Sequence, residues 1–175
     1  MSSFNLAIPA TLKNEGGAYI TMDLDDPGGA TKYGISLRFY KAAIKESADV
    51  NTIRELSLAD AMNIYDNHFW KPNNYGQITT QSIAAKIFDI GVNIGPAESN
   101  KIAQRALGTF YGHTGVDVDG VMGNITISKI NHGSVDRQSY LTALKEGYAC
   151  YYRELVKNRP VDAKYLEGWL RRAYA

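Results

Sequence analysis

Residues 15–35 read EGGAYITMDLDDPGGATKYGI, and here an otherwise helical sequence changes character. Gly16-Gly17 releases the chain from a helix expected over roughly Leu6 to Asn14, which places Glu15 at a helix end. Tyr19, Ile20 and Thr21 favour a strand, and Asp25-Asp26-Pro27-Gly28-Gly29 supplies strong turn chemistry. The stretch reads as a small hairpin or three-stranded flap beside helices. Glu15, held by the helix end, and Asp26, on a polar turn, therefore occupy different environments. Glycosidic cleavage requires such a difference: one carboxylic acid protonates the leaving oxygen, and one ionised carboxylate orients water or stabilises positive charge on the sugar. Thr31 adds a hydroxyl able to hydrogen-bond the attacking water. A Glu and an Asp at this spacing are common in proteins, so the pair points to the chemistry without fixing it.

Outward from this stretch the periodicity is helical. Ile83, Ile87, Ile90 and Ile94 recur at helical spacing over Gln81–Asn93 with Ala84, Ala85 and Phe88 between them, predicting a central helix buried nearly all round. Ser36 can cap a helix through Leu37, Tyr40 and Ile44. Ser57 with Asp60 forms a capping arrangement for a helix running toward Phe69-Trp70, which Pro72 stops. Another helix is expected over Glu98–Leu107. A long one spans about Asp136–Lys157, with Leu141, Leu144, Tyr148, Tyr151, Tyr152 and Leu155 inward. Gly112–Gly123 reads as a glycine-rich loop. No fixed repeat or low-complexity linker appears. The expected fold class is mainly α, with a small N-terminal β-flap beside a cleft, in one compact unit.

The 175 residues carry 19 Lys+Arg against 18 Asp+Glu, a net charge of +1, with 45% hydrophobic residues. Those proportions exclude a disordered chain, and near-neutrality argues against a nucleic-acid binder. The charge is uneven: residues 1–60 sum to −2, 61–136 to −1 and 137–175 to +4. A basic C-terminal part suits an anionic polymer or simply a solvated helix face. No membrane-length apolar run occurs, and the opening MSSFNLAIPATLKNEGG has no basic region leading into an apolar one, so synthesis without export or stable membrane insertion is expected. The single cysteine, Cys150, reads as a small buried apolar residue.

The longer strings resemble a known family. E-G-G followed by D-P-G-G-x-T-K-Y-G-I-S is similar to the N-terminal signature of the phage endolysins and bacterial muramidases of glycoside hydrolase family 108. Phe88-Asp89 with Asn93 and Gly95 resembles that family's F-D-x-x-x-N-x-G helix, and Ala103-Gln104-Arg105-Ala106-Leu107-Gly108 its following L/A-Q-x-A-L-G helix. Asp119-Gly120-Val121-Met122-Gly123-Asn124-Ile125-Thr126 resembles the D-G-x-x-G-x-x-T of a predicted peptidoglycan-binding region. Arg153 and Gly168-Trp169-Leu170-x-Arg172 resemble that region's R and G-W-x-x-R ending. The resemblance covers nearly the whole chain in the family's order, with a muramidase core at 1–96 and a helical peptidoglycan-binding region at 97–175.

The resemblance implies a lysozyme-like N-acetylmuramidase that hydrolyses the β-1,4 bond between N-acetylmuramic acid and N-acetylglucosamine, with bacterial peptidoglycan as partner. It makes Glu15 the general acid and matches Asp26 and Thr31 to the residues that complete a Glu-Asp-Thr set in related phage lysozymes. Asp25 competes with Asp26, which is preferred because its D-P-G-G-x-T context aligns directly. Inversion and retention both remain open. A monomer is expected, and a phage version, held in the host cytoplasm until lysis, needs a holin-type lesion to reach the wall. The alternatives are a lytic transglycosylase and a catalytically silent wall-binding or structural phage protein.

Further candidates come from residue type. Asp89 and Asn93, four apart, share a helix face and can bind sugar amides or hydrogen-bond within the fold. Tyr33, Tyr65, Trp70, Tyr75 and Trp169 could stack on sugar rings, with Tyr33 and Trp70 the preferred substrate-binding residues. No metal is expected: with Gly120 at the sixth position of a calcium loop, Gly115 and Thr126 fall where carboxylates are needed. His68, His113 and His132 lack a partner at metal-ligand spacing. No cofactor is expected, and the Asp119–Gly123 glycines read as a turn packing the next helix.

Overall fold

The computed structural model describes residues 1–21, 29–112 and 116–175. These are mainly helical, with one two-stranded antiparallel sheet, and the described contacts form two compact units, residues 8–68 and residues 1–7 with 69–175. None of the described helices is long and apolar enough to cross a membrane.

In the unit of residues 8–68, helix α1 (Phe4–Asn14) ends where the double glycine predicts. The Glu15 N–H still donates to the Thr11 carbonyl at 2.9 Å, and Gly16 and Gly17 then turn left-handed with φ of +81° and +64°. Glycine adopts this conformation without the steric cost a Cβ adds. Strands β1 (Thr31–Lys32) and β2 (Ile35–Ser36) pair with Lys32 opposite Ile35, so Tyr33-Gly34 is a two-residue hairpin loop. Both loop residues have positive φ, 54° and 78°, the signature of a type I′ turn whose twist matches the strands. Thr21 bridges to Thr31 through two backbone bonds of 2.9 Å, adding a third segment to the flap.

Three helices follow, each opened by a side-chain cap. Ser36 accepts from the Phe39 N–H to start α2 (Leu37–Ala43). Asp49 and Thr52 form a capping box for α3 (Val50–Glu55), a helix that periodicity did not reveal because it has only six residues. Ser57 and Asp60 form the box anticipated for α4 (Leu58–Tyr65), and the chain continues as a π-turn over Asp66–Trp70. Such reciprocal bonds satisfy N–H groups that a helix start otherwise leaves without acceptors.

In the unit of residues 1–7 and 69–175, α5 (Gln81–Ile94) is the centre. Ile83, Ile87, Phe88 and Ile90 are fully buried, each worth about 1.5–3 kcal/mol of apolar burial. Helices α6 (Pro96–Tyr111) and α8 (Arg137–Asn158) pack on α5, with α7 (Asn124–Asn131) and α9 (Leu166–Tyr174) completing the unit. Gly147 allows α8 to approach α6 closely, since a Cβ there would lie 2.7 Å from Ile102. The N-terminal residues belong here too: the Ser2 N–H is shared between the carbonyls of Gly76 and Ile78 at 3.0 Å. Helix α5 thus shares its core with the helices that follow it.

Cys150 corrects one expectation. It is exposed, because it lies one residue past Ala149 on the helix and so turns away from the buried line Tyr140, Leu144, Tyr148, Tyr152. Leu141, Tyr151 and Leu155, also expected inward, are half-buried on the flanks of that line.

Candidate active site

The end of α1 and the tip of the β1–β2 hairpin meet at Glu15. The Tyr33 N–H donates to the Gly17 carbonyl at 3.0 Å, tying the hairpin tip to the residues that leave the helix. At Gly34 the backbone lies directly against the Glu15 side chain: a Cβ on Gly34 would sit 2.7 Å from Glu15 Cβ and 2.8 Å from Oε2. The same point is 2.5 Å from the Tyr65 hydroxyl. Glu15 as a whole is partly exposed, with its Oε1 removed from solvent.

The hairpin tip is fixed from two more directions. The Tyr65 hydroxyl donates to the Tyr33 carbonyl at 2.8 Å, from a side chain that α4 buries almost completely. The Lys32 ammonium donates to the Arg54 carbonyl at the end of α3 at 2.7 Å and stands 5.5 Å from the centre of the Tyr33 ring. These ties hold Tyr33 in a left-handed conformation that costs a residue with a Cβ about 1 kcal/mol or more. Thr31 precedes this tip on β1 and is half-buried, its backbone engaged with Thr21. Asp25 and Asp26 lie outside the described residues.

The other candidates lie in the second unit, in settings that explain them as packing. Trp70 is 5% exposed, set edge-on among Phe4, Tyr75 and Phe88 at centroid distances of 5.9, 5.8 and 5.4 Å. Its indole is therefore largely withdrawn from the surface. Asp89 is bound by Arg172 of α9: Nε donates to Oδ2 at 3.1 Å, Nη2 to Oδ1 at 3.0 Å, and Nη2 also to the Asp89 carbonyl at 2.9 Å. Lys86, beside this pair, donates to the Arg172 carbonyl at 3.0 Å. Burial lowers the Lys86 pKa, partly opposed by the negative charge of Asp89. Asn93 is exposed and accepts from the Tyr152 hydroxyl at 2.7 Å, and the Tyr152 ring stacks on Trp169 at 5.3 Å.

The glycine-rich loop is likewise tied down. Gln104 of α6 accepts from the Gly120 N–H at 2.9 Å and donates to Asp119 Oδ1 at 2.7 Å and to the Val121 carbonyl at 3.0 Å. Gly120, at φ +81°, passes so close to α6 that a Cβ would lie 2.8 Å from the Ala97 carbonyl oxygen. Asp119 also accepts from the Val121 N–H, and these two bonds hold its pKa below the ordinary carboxylate value. The D-G turn is thus a packing device. Among the described residues no group of three His, Cys, Asp or Glu side chains is placed to hold a metal.

Sequence reasoning placed Glu15 at the helix end but passed over Gly34, and it offered Tyr65 only as a sugar-stacking candidate, not as a partner of the hairpin tip. Gly34 sat in view within T-K-Y-G-I-S. The bond from Tyr65 to the Tyr33 carbonyl carried no local signal, because it joins residues 32 positions apart.

Residues 8–95 match the family described as Glycosyl hydrolase 108, and residues 98–174 match the family described as Predicted Peptidoglycan domain. A solved structure titled "Structure of Brucella abortus SagA" superposes with a TM-score of 0.78 over 98% of this chain and 89% of that chain, at 23% sequence identity. At that identity the likeness is one of fold, and it agrees with a mainly α, lysozyme-like architecture. No curated protein matches the chain.

Proposed function

The chain belongs to the glycosyl hydrolase 108 family, and from that premise we propose that it hydrolyses the β-1,4 bond between N-acetylmuramic acid and N-acetylglucosamine of peptidoglycan, with Glu15 as general acid. Family membership makes it a glycoside hydrolase, and the C-terminal match makes peptidoglycan its partner. The observation that carries the finer reading is the wedging of the Glu15 side chain between the end of α1 and the hairpin tip, with one carboxyl oxygen withdrawn from water.

In the proposed reaction the Glu15 carboxylic acid gives its proton to the glycosidic oxygen as the bond to the anomeric carbon breaks. The leaving sugar departs as an alcohol, and the remaining sugar passes through an oxocarbenium-like transition state. Asp26, with Thr31, orients a water whose oxygen bonds to the anomeric carbon and whose proton passes to the carboxylate. The acid must arrive protonated and the base ionised, which is why the two carboxyl groups need unlike surroundings. As a phage lysis enzyme the protein would wait in the host cytoplasm as a monomer and reach the wall through a membrane lesion.

Glu15→Gln tests the assignment. The variant should release no new reducing ends from purified peptidoglycan while its circular dichroism and its co-sedimentation with the wall stay native. Retained turnover would remove Glu15 from its role. Mass spectrometry of the native digest fixes the bond and the reaction: reducing N-acetylmuramic acid ends support hydrolysis, and 1,6-anhydro ends would establish a transglycosylase instead.

A further inference from the structure

We infer that the Tyr33-Gly34 turn, pinned by the Tyr65 hydroxyl, is the element that positions the Glu15 carboxyl group for proton transfer, an inference that rests on Glu15 being the general acid. Gly34 and Tyr65 are positioning residues; neither need touch the substrate.

Three observations converge on one point of the backbone. A Cβ on Gly34 would lie within 2.7 Å of Glu15 Cβ, 2.8 Å of its Oε2 and 2.5 Å of the Tyr65 hydroxyl, so the missing side chain is the space in which the acid sits. Real Cβ atoms do not approach neighbours this closely, and two of the three neighbours belong to the acid itself. The turn cannot drift from this position easily. Tyr65 donates to the Tyr33 carbonyl at 2.8 Å from a ring that is 1% exposed, Lys32 is anchored to the Arg54 carbonyl at 2.7 Å, and Tyr33 N–H is bonded to Gly17 beside Glu15 at 3.0 Å. Tyr33 keeps φ +54° without being a glycine, a conformation that persists only where the surroundings over-determine it. The turn thus acts as a rigid wall. It limits where the carboxyl group can go, and proton transfer depends steeply on that placement, since a misplacement of about 1 Å can cost roughly 100-fold in rate.

Two variants separate this role from general folding. In Gly34→Asn the left-handed backbone remains accessible, because asparagine tolerates it, while the new side chain enters the space of Glu15. Tyr65→Phe keeps the buried ring and removes only the O–H that holds the Tyr33 carbonyl. With soluble glycan strands as substrate, Gly34→Asn should lose on the order of 100-fold in kcat. Tyr65→Phe should lose roughly tenfold, being one bond of several on the turn. In both, KM should stay within about twofold of the native value, because loss of substrate contacts would raise KM, whereas a smaller folded fraction would lower only the apparent kcat. Melting temperature and wall co-sedimentation, measured on the same preparations, report the folded fraction to which kcat is normalised.

Native kcat in folded Gly34→Asn would overturn the proposal, as would losses in both variants that appear in KM alone. The result is separable from the parent reading. An inactive Glu15→Gln beside a fully active Gly34→Asn refutes only the positioning wall, whereas an active Glu15→Gln refutes the acid assignment and the wall with it.

Discussion

Arg172→Met should be among the most damaging single changes in the unit built on α5. Both side chains of the Asp89–Arg172 pair are nearly buried, 8% and 9% exposed, and the guanidinium makes three bonds of 2.9–3.1 Å to Asp89. Removing the arginine leaves a carboxylate and a main-chain carbonyl out of water without their fork of donors. Losing one member of such a pair costs about 3–5 kcal/mol. In a chain of this length each kcal/mol moves the midpoint by about 2–4 °C, so Tm should fall by roughly 6–20 °C. The double variant Asp89→Leu, Arg172→Met should recover most of the loss, because two apolar side chains of similar size leave no charge stranded. Arg171→Met is the internal control: its partner Glu167 and Arg171 itself are 85% and 71% exposed, and that pair should cost less than about 1 kcal/mol. Urea unfolding followed by circular dichroism at 222 nm measures these three variants and the single Asp89→Leu. A cost below 1 kcal/mol for Arg172→Met, or a double variant less stable than either single one, would refute the reasoning.

Two further outcomes can be checked on the unmodified protein. Burial holds the hydroxyls of Tyr75, Tyr140 and Tyr148 protonated well above the usual tyrosine range. Their folded pKa is raised over the unfolded one, so stability present below pH 10 is lost as pH rises beyond it, with a slope of up to about 1.4 kcal/mol per pH unit for each. Tyrosinate absorbance at 295 nm should therefore show these three ionising together with loss of helical signal; smooth ionisation of all 12 tyrosines in a folded protein contradicts this. Cys150, exposed on α8, should react with Ellman's reagent in the native state as one thiol equivalent, and silence until denaturant is added would return it to the core.

Much of the fold was legible because its signals are local. A capping box joins residues three apart, so Ser57 with Asp60 announced α4. The isoleucine line of α5 follows from helical period alone. A double glycine ends a helix whatever surrounds it, which put Glu15 at the right place. Three things were not legible for equally physical reasons. Helix α3 is too short for a period to show. The hairpin turn fell on Tyr33-Gly34, where a tyrosine is held at positive φ by tertiary bonds that override its own preference. The burial of Trp70 is the third, because an aromatic residue near a helix end looks the same in sequence whether its faces meet solvent or Phe4, Tyr75 and Phe88.

The recurrent motifs show where the boundary runs. The amino-acid sequence by itself determined which residues stand out: Glu15, Asp89, Asn93, Gln104, Asp119, Gly120, Trp169 and Arg172. Only the tertiary structure decided which of them meet. Asp89 closes on Arg172 across 83 positions of chain, and Gln104 grips Asp119 and Gly120 across 15 and 16. Asn93 joins the Tyr152–Trp169 stack. These are hydrogen bonds and ring contacts, which depend on a few tenths of an ångström and on burial, and neither is written in spacing along a chain. The same holds at Glu15. Composition and turn chemistry pointed to an acid beside a flap, but the wall that holds the acid consists of a missing side chain at Gly34 and a hydroxyl from Tyr65, a contact that exists only once helix and hairpin have packed together.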